Sequence, residues 1–317
     1  MYPRVSDFFK DFLGFDWPFP NFPIYSYGFM VAIAILTASW VSGLELRRLQ
    51  RVGRLGMIPM KQKNKETGKI ETVSMPPSDL MGTITIIAAV AGVLGSKLFF
   101  ILEEPGDFWV KALSPGGLTF YGGLLLGTAA VLWYIRSKKL PIPVFMDALA
   151  PGLILAYGIG RIGCHLAGDG DWGFASNMAL KPSFIPNFLW AETYSRNILN
   201  QSIPAPGVYP APLYEFLMGV AAFAILWLLR KHPYKAGWLF SLYLILNGLE
   251  RSLIEKIRVN IHYNIFGMNM SQAEIIALGL IILGCVGLYL TWKKREDVAT
   301  PDVPPQVPQV PMAANLG

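Results

Sequence analysis

Long apolar runs constrain this chain more than any other feature. Seven stretches of its 317 residues, near 25–46, 80–102, 117–135, 144–165, 213–229, 236–254 and 272–292, are long enough, or nearly so, to cross a bilayer, whose hydrocarbon core is roughly 30 Å thick. In hydrocarbon the backbone N–H and C=O groups must be paired within the protein, and for single apolar segments of this length the helix is the structure that does so. Composition agrees. The chain is 53% hydrophobic and only 15% charged, with a mean hydropathy of +0.42, whereas soluble domains carry about 25% charged residues. The expectation is an all-α, polytopic membrane protein with seven transmembrane helices. Several runs carry Gly, such as Gly92 and Gly95, which membrane helices use for close packing.

Charge in the short loops predicts the orientation. Arg47, Arg48, Arg51, Arg54, Lys61, Lys63, Lys65 and Lys69 follow the first run; Arg136, Lys138 and Lys139 follow the third. Arg230, Lys231 and Lys235 follow the fifth, and Lys293, Lys294 and Arg295 the seventh. Basic loops mark the cytoplasmic side. The alternate loops hold Glu103, Glu104 and Asp107, then Asp169, Asp171 and Glu192. The N-terminus is therefore expected outside, in the periplasm, and the C-terminus in the cytoplasm. In a soluble protein a formal charge of +6 and a pI near 9.2 would raise nucleic acid as a partner. Here the same charge reads as topology and as attraction to anionic membrane lipids, and no nucleic acid is expected.

Three segments flank or interrupt the bundle. Residues 1–24 show no cleavable signal peptide; Phe8, Phe9, Phe12 and Phe15, interleaved with Asp7, Lys10 and Asp11, predict a short periplasmic amphipathic arm on the membrane surface. Residues 166–212 form a long periplasmic loop between spans four and five, rich in Pro, Asn, Trp and Tyr, whose aromatics favour an ordered lid at the interface. Residues 296–317 include VPPQVPQVP and read as a disordered cytoplasmic tail. The transmembrane unit is thus 25–295. Its two cysteines, Cys164 and Cys285, cannot make a disulfide framework.

A charge in the bilayer costs about 2.5–3.5 kcal/mol on insertion scales, so each one requires a reason. In YGIGRIGCHLAGDGDWG, Arg161 lies on the outer part of the fourth run among Gly158, Gly160 and Gly163, with His165 one helical turn on and then Asp169 and Asp171. A lone snorkelling anchor is the plainer reading of Arg161, but the density of Gly, His and Asp is high for an anchor. In NGLERSLIEKIRVN, helical spacing puts Asn247, Arg251, Glu255 and Arg258 on one face; a stabilising Arg251–Glu255 pair is the alternative. In GGLTFYGGLLLG, Tyr121 precedes Gly122 and Gly123, which by themselves could serve helix packing alone. Tyr27 at the start of the first run and Tyr209 in YPAPLYE could be interfacial anchors. Glu215, at a helix start, could simply complement the dipole. All these groups fall at one depth near the outer leaflet. Guanidinium groups there suit a phosphate, whose oxygens they bind in a bidentate way, so the residues predict a phospholipid head-group site.

The order of YGFMVAIA, TFYGGLLLG, GRIGCHLAGDGDWG, PAPLYE and ERSLIEKIR resembles the prolipoprotein diacylglyceryl transferases over roughly residues 20–295. The resemblance implies transfer of a diacylglyceryl group from phosphatidylglycerol to the lipobox cysteine thiol in a prolipoprotein signal peptide. A thioether forms and glycerol phosphate leaves, at the periplasmic face of the bacterial inner membrane, with no metal or organic cofactor. By motif, Arg161 matches the family arginine that contacts the head group. Arg251 and Glu255 match a second essential arginine and its partner acid, and Tyr27 a motif tyrosine of the first span. Gly122, Gly123, Asn247 and Asp169 join the expected substrate-binding set.

Two positions depart from the common pattern. Tyr121 stands where many members have a histidine proposed as a base, and Cys164-His165 where many have Asn-Phe. The GDGDW turn is also slightly longer than usual, which blurs the alignment of Asp169 and Asp171. The nucleophile is the substrate thiol, best as thiolate. Arg161 and Arg251 would stabilise charge on the departing phosphate, and Tyr121, His165 and Glu255 are the candidate bases. Cys164 reads as a packing residue, because the substrate already brings a thiol. A transporter or channel lined by Arg161, Arg251 and Glu255, or a lipid-binding scaffold without catalysis, are the competing readings. The cytoplasmic halves, as in AILTASW and GLYLTW, lack the polar residues a path would need.

Overall fold

The computed structural model describes residues 2–14, 24–63, 70–103, 106, 108–114, 117, 119–258, 262–265 and 268–293. The chain is mostly helical. In order come α1 (Val5–Leu13), α2 (Ser26–Arg51), α3 (Leu80–Glu103), α4 (Phe108–Leu113), α5 (Phe120–Ser137), α6 (Ile142–Ala167), α7 (Ala211–Leu229), α8 (Trp238–Ile254) and α9 (Gln272–Thr291). Five of these, α2, α3 with its preceding turn, α6, α7 and α9, are long and apolar enough to cross a membrane by length and composition. At the third and sixth expected spans stand α5 and α8, helices of 18 and 17 residues. The expected tail, 296–317, lies outside the described residues.

The sequence reading of an all-α chain omits two small antiparallel hairpins. One joins β1 (Ile58–Lys63) to β2 (Ile70–Met75), and the other joins β3 (His262–Ile265) to β4 (Met268–Ser271). A short signal was present in the first: polar Thr72 and Ser74 alternate with apolar Val73 and Met75, the two-residue period of a strand. The lysines around them were read as topology alone.

Helix α6 is the hub, packing against α2, α7 and α8, while α3 packs on α5 and α8 on α9. Lipid tails are as apolar as the side chains, so helix association rests on close packing at small residues rather than on escape from water. A Cβ on Gly95 of α3 would lie 2.7 Å from Leu126 Cβ and would strike the Gly122 carbonyl of α5. The α6–α7 crossing depends on Gly158, whose Cα lies 3.2 Å from where a Cβ on Gly219 would stand. Outward faces keep their large apolar groups in the open, with Leu228 at 80% and Tyr289 at 82% exposure; for a membrane protein that surface is the lipid contact. The buried core between α6, α7 and α8 is built from Ala150, Ile154, Ala222, Leu226, Trp238 and Leu239.

One polar contact sets the relative height of two helices. The first turn of α8 has no side-chain cap of its own. Asp147 of α6 supplies it, accepting from Gly237 N at 2.7 Å and Phe240 N at 2.8 Å. Equal numbers of residues separate Asp147 from Arg161 and Gly237 from Arg251. At about 1.5 Å rise per residue, each helix climbs roughly 21 Å from the shared cap, so the two arginines reach the same depth.

Candidate functional site

At that depth α6, α7, α8 and the segments after α6 and α8 meet. Helix α6 ends where Gly168 takes a left-handed conformation (φ 61°) and donates to Cys164 O. The chain then folds back over the bundle end. Gly173 pairs with Arg258 as an isolated β-bridge, and Phe174 N donates to Ile257 O at 2.9 Å. A Cβ at Gly173 would lie 2.7 Å from Ile257 O, so only glycine lets the two strands approach. This closure carries Asp171 onto the arginines.

The centre is Glu215, in the first turns of α7 and fully buried. Arg161 Nε lies 3.3 Å from its Oε2, and Arg251 Nη1 and Arg258 Nη1 each lie 3.6 Å from its Oε1. Three guanidinium groups thus share one carboxylate. Asp171 joins two of them from the other side: Arg161 Nη1 reaches Asp171 Oδ2 at 2.5 Å, and Arg258 Nη2 donates to Oδ1. Burial pushes the Asp171 carboxyl up, but Arg258 and Arg161 outweigh it and hold it below the ordinary carboxylate range. Arg251 also pairs with Glu255 at 3.2 Å. Tyr157 places its hydroxyl 3.1 Å from Glu215 Oε1 and 3.0 Å from Glu250 Oε1, with the Arg161 guanidinium 5.1 Å from its ring centre.

Of the residues singled out from the sequence, Arg161, Arg251 and Glu255 come together. Arg258 joins them, though not by helical spacing: α8 stops at Ile254, and a turn over 255–257 delivers it. Asp169 Oδ1 accepts from Asp171 N at 3.3 Å, and its carboxylate, that of Asp171 and Cys164 Sγ lie within 4.8 Å of one another. Such a group could hold a metal ion, but Asp171 is already engaged by two arginines. Tyr27 enters α2 beside the cluster; the bare Gly163 lets its backbone come within 3.3 Å of where a Cβ would be.

Other candidates stand apart from the guanidiniums. His165 turns toward the loop, Nδ1 lying 3.1 Å from the hydroxyl of Tyr194, a fully buried ring that also packs on Trp172. Tyr121 is 39% exposed and stacks edge-on against Phe120. Gly122 and Gly123 face Gly95, Ser96 and Gly92 of α3, where their missing side chains serve helix contact. Asn247 lies one turn before Arg251 on α8, and among the described residues no hydrogen bond to its side chain is formed.

Sequence reasoning placed Glu215 and Asp171 in the outer group without giving either a part in the cluster, and missed Tyr157 and Glu250. A carboxylate at a helix start has a sufficient local explanation, so Glu215 was assigned no partner. Glu250 is adjacent to Arg251 and therefore sits about 100° around the helix from the expected face. The usable signal was arithmetic: three arginines near one depth require acids, and Glu215 and Glu250 were the acids left over at the outer ends of the apolar runs.

Comparison with known proteins points the same way as the geometry. A family model described as prolipoprotein diacylglyceryl transferase matches residues 16–290, from before α2 to the last turn of α9. The phosphatidylglycerol–prolipoprotein diacylglyceryl transferase of Corynebacterium diphtheriae is 28% identical over 242 residues, 70% of this chain and 81% of that protein. The Leptospira interrogans enzyme of that name is 25% identical over 94% of this chain and 97% of its own length. That of Corynebacterium efficiens is 30% identical over 68% of this chain and 70% of its own. The chain belongs to the prolipoprotein diacylglyceryl transferase family.

Proposed function

We propose that this protein transfers the diacylglyceryl group of phosphatidylglycerol to the lipobox cysteine thiol of prolipoproteins, forming a thioether and releasing glycerol phosphate. The observation that carries the reading, beside family membership, is the sharing of one buried carboxylate by Arg161, Arg251 and Arg258. Guanidinium groups held this closely form a preorganised phosphate cradle. Glu215 and Asp171 fix their directions, so little reorganisation is needed when a head group arrives. The thiolate sulfur attacks the glycerol carbon, the bond from that carbon to the phosphate oxygen breaks, and the electron pair leaves on the phosphate. Charge grows there, in a poorly solvated site facing cations, where it is stabilised most.

On our reading α5 and α8 also cross, giving seven spans with the guanidinium cluster at the periplasmic surface of the inner membrane and the basic loops inside; the charge of the loops supports it. The transmembrane catalytic unit is 25–295, with 1–24 as an arm on the membrane. Tyr121 and Glu255 are the candidate bases, His165 being engaged with Tyr194, and Tyr27, Asn247 and Asp169 the remaining substrate contacts we assign; Gly122 and Gly123 serve the α3–α5 contact instead. Incubation of the purified protein with phosphatidylglycerol and a lipobox peptide tests the function. The peptide cysteine should gain the mass of one diacylglyceryl unit. Lipid binding without that gain would mark a scaffold, and solute flux without it a transporter.

A further inference from the structure

The Tyr157 hydroxyl lies between two carboxylates, 3.1 Å from Glu215 Oε1 and 3.0 Å from Glu250 Oε1. A phenol has one proton to donate, and an ionised carboxylate only accepts. If both acids were ionised, one contact would set lone pair against lone pair in a buried site, the costly case of an unmade hydrogen bond between groups already stripped of water. One further proton therefore belongs to this trio. Glu215, from α7, is surrounded by nitrogen atoms of Arg161 of α6, Arg251 of α8 and Arg258 after it, and stays ionised. Glu250, from α8, is 4% exposed and has no Lys, Arg or His nitrogen within 4 Å among the described residues. The other acids facing the cluster, Asp171 and Glu255, have arginines of their own.

We propose that Glu250 is held as a neutral carboxylic acid that donates to Tyr157, which in turn donates to Glu215, and that this stored proton is used in the transfer. The inference rests on the proposed transferase reaction. There, the sulfur–carbon bond forms, the carbon–oxygen bond to phosphate breaks, and the thiol loses a proton. As charge appears on the phosphate, the Glu250 proton passes to the Tyr157 oxygen while the Tyr157 proton passes to Glu215, from which it is available to the departing group. The proton given up by the thiol restores the trio, so nothing is consumed. Glu250 touches no reacting atom in this scheme; it acts through Tyr157 and Glu215.

Infrared difference spectroscopy of the purified protein in an ester-free detergent, wild type against Glu250→Gln, reads the proton directly. A carboxylic-acid C=O band should be present at neutral pH and absent from Glu250→Gln. That variant should lower kcat about 10²-fold, the usual worth of a positioned proton donor, while KM for phosphatidylglycerol stays near the wild-type value. Wild-type kcat should fall at alkaline pH as the Glu250 proton is lost, and that limb should vanish in Glu250→Gln. Absence of the band, or wild-type turnover in Glu250→Gln, would overturn the proposal. If that variant does not fold, Tyr157→Phe keeps both carboxylates and breaks the bridge; it should shift the band and depress kcat, and unchanged turnover would be equally fatal. The band needs no turnover to be seen. A wild-type protein that makes no thioether would therefore sink the proposed function while leaving the protonation state measured.

Discussion

Glu215 is the residue on which the cluster turns, because among the described residues it is the one acid that touches all three arginines. Removing one partner of a buried ion pair costs about 3–5 kcal/mol, since the remaining charges stay buried without compensation. Glu215→Gln should accordingly lower the thermal midpoint as well as turnover, whereas Arg161→Ala should act chiefly on chemistry. Loss of a single preorganised charge-stabilising donor typically costs 10²–10³ in kcat, and Arg161→Ala should fall in about that range while still inserting in the membrane. Normal transfer by Arg161→Ala would remove the phosphate-cradle argument. His165→Ala should behave oppositely. Its ring is engaged with Tyr194, so thermal stability should drop more than kcat does, and a large kcat loss at unchanged stability would instead restore His165 as the base. Asp171 adds a pH dependence. Its folded pKa lies below the unfolded value, so the contribution of its latch is complete above the ordinary carboxylate range and is lost as pH falls through the depressed value. Proteolysis of the 168–210 segment should accelerate over that acid window, and Asp171→Asn should be cut readily at every pH.

At the scale of elements, what was legible in the sequence was what a single segment carries. Apolar runs gave the helices, and charges inside or just past those runs gave Arg161, Arg251 and Glu255. What was illegible was how separate segments meet. Arg258 arrives beyond the end of α8, Asp171 by the fold-back after Gly168, and Glu215 from the start of a third helix. Gly122 and Gly123 show the converse: the same glycines fit head-group approach or helix packing, and only the position of α3 shows which neighbours they meet. Packing of this kind gives sharp expectations. Gly95→Val would press into the Gly122 carbonyl and Leu126; overpacking typically costs about 1–3 kcal/mol, and a melting curve should show it with the cluster residues intact. Asp147 should matter at a distance. An N-cap is worth about 1 kcal/mol, but this one also fixes the height of α8 against α6. Asp147→Ala should therefore lower transfer as well as stability, although the site lies roughly 21 Å up the helix.

Across the whole molecule, ionic groups gather at the two ends of the bundle and serve different purposes. One end holds the Arg161–Glu215–Arg251–Arg258 cluster. The other holds the basic turns, where Arg48 and Arg230 share Glu45 and Asp147 caps α8. Arginine clustered with acids at the first end is the site we propose, and unbalanced lysine and arginine at the second is what our orientation rests on. If the orientation is as proposed, the two ends face different compartments, which a membrane-impermeant thiol reagent can test on intact cells. In a background with Cys285 replaced by Ser, a cysteine at the highly exposed Phe184 of the 168–210 segment should label from outside. One at Lys231, after α7, should label only once the membrane is opened. The same pair of measurements placed either side of α5, at Lys111 and Lys139, decides whether an 18-residue helix crosses. Labelling of Lys111→Cys from outside and of Lys139→Cys only from inside is expected. If both label from one side, α5 does not cross, the spans after it invert, and the guanidinium cluster could not meet a prolipoprotein emerging on the periplasmic face.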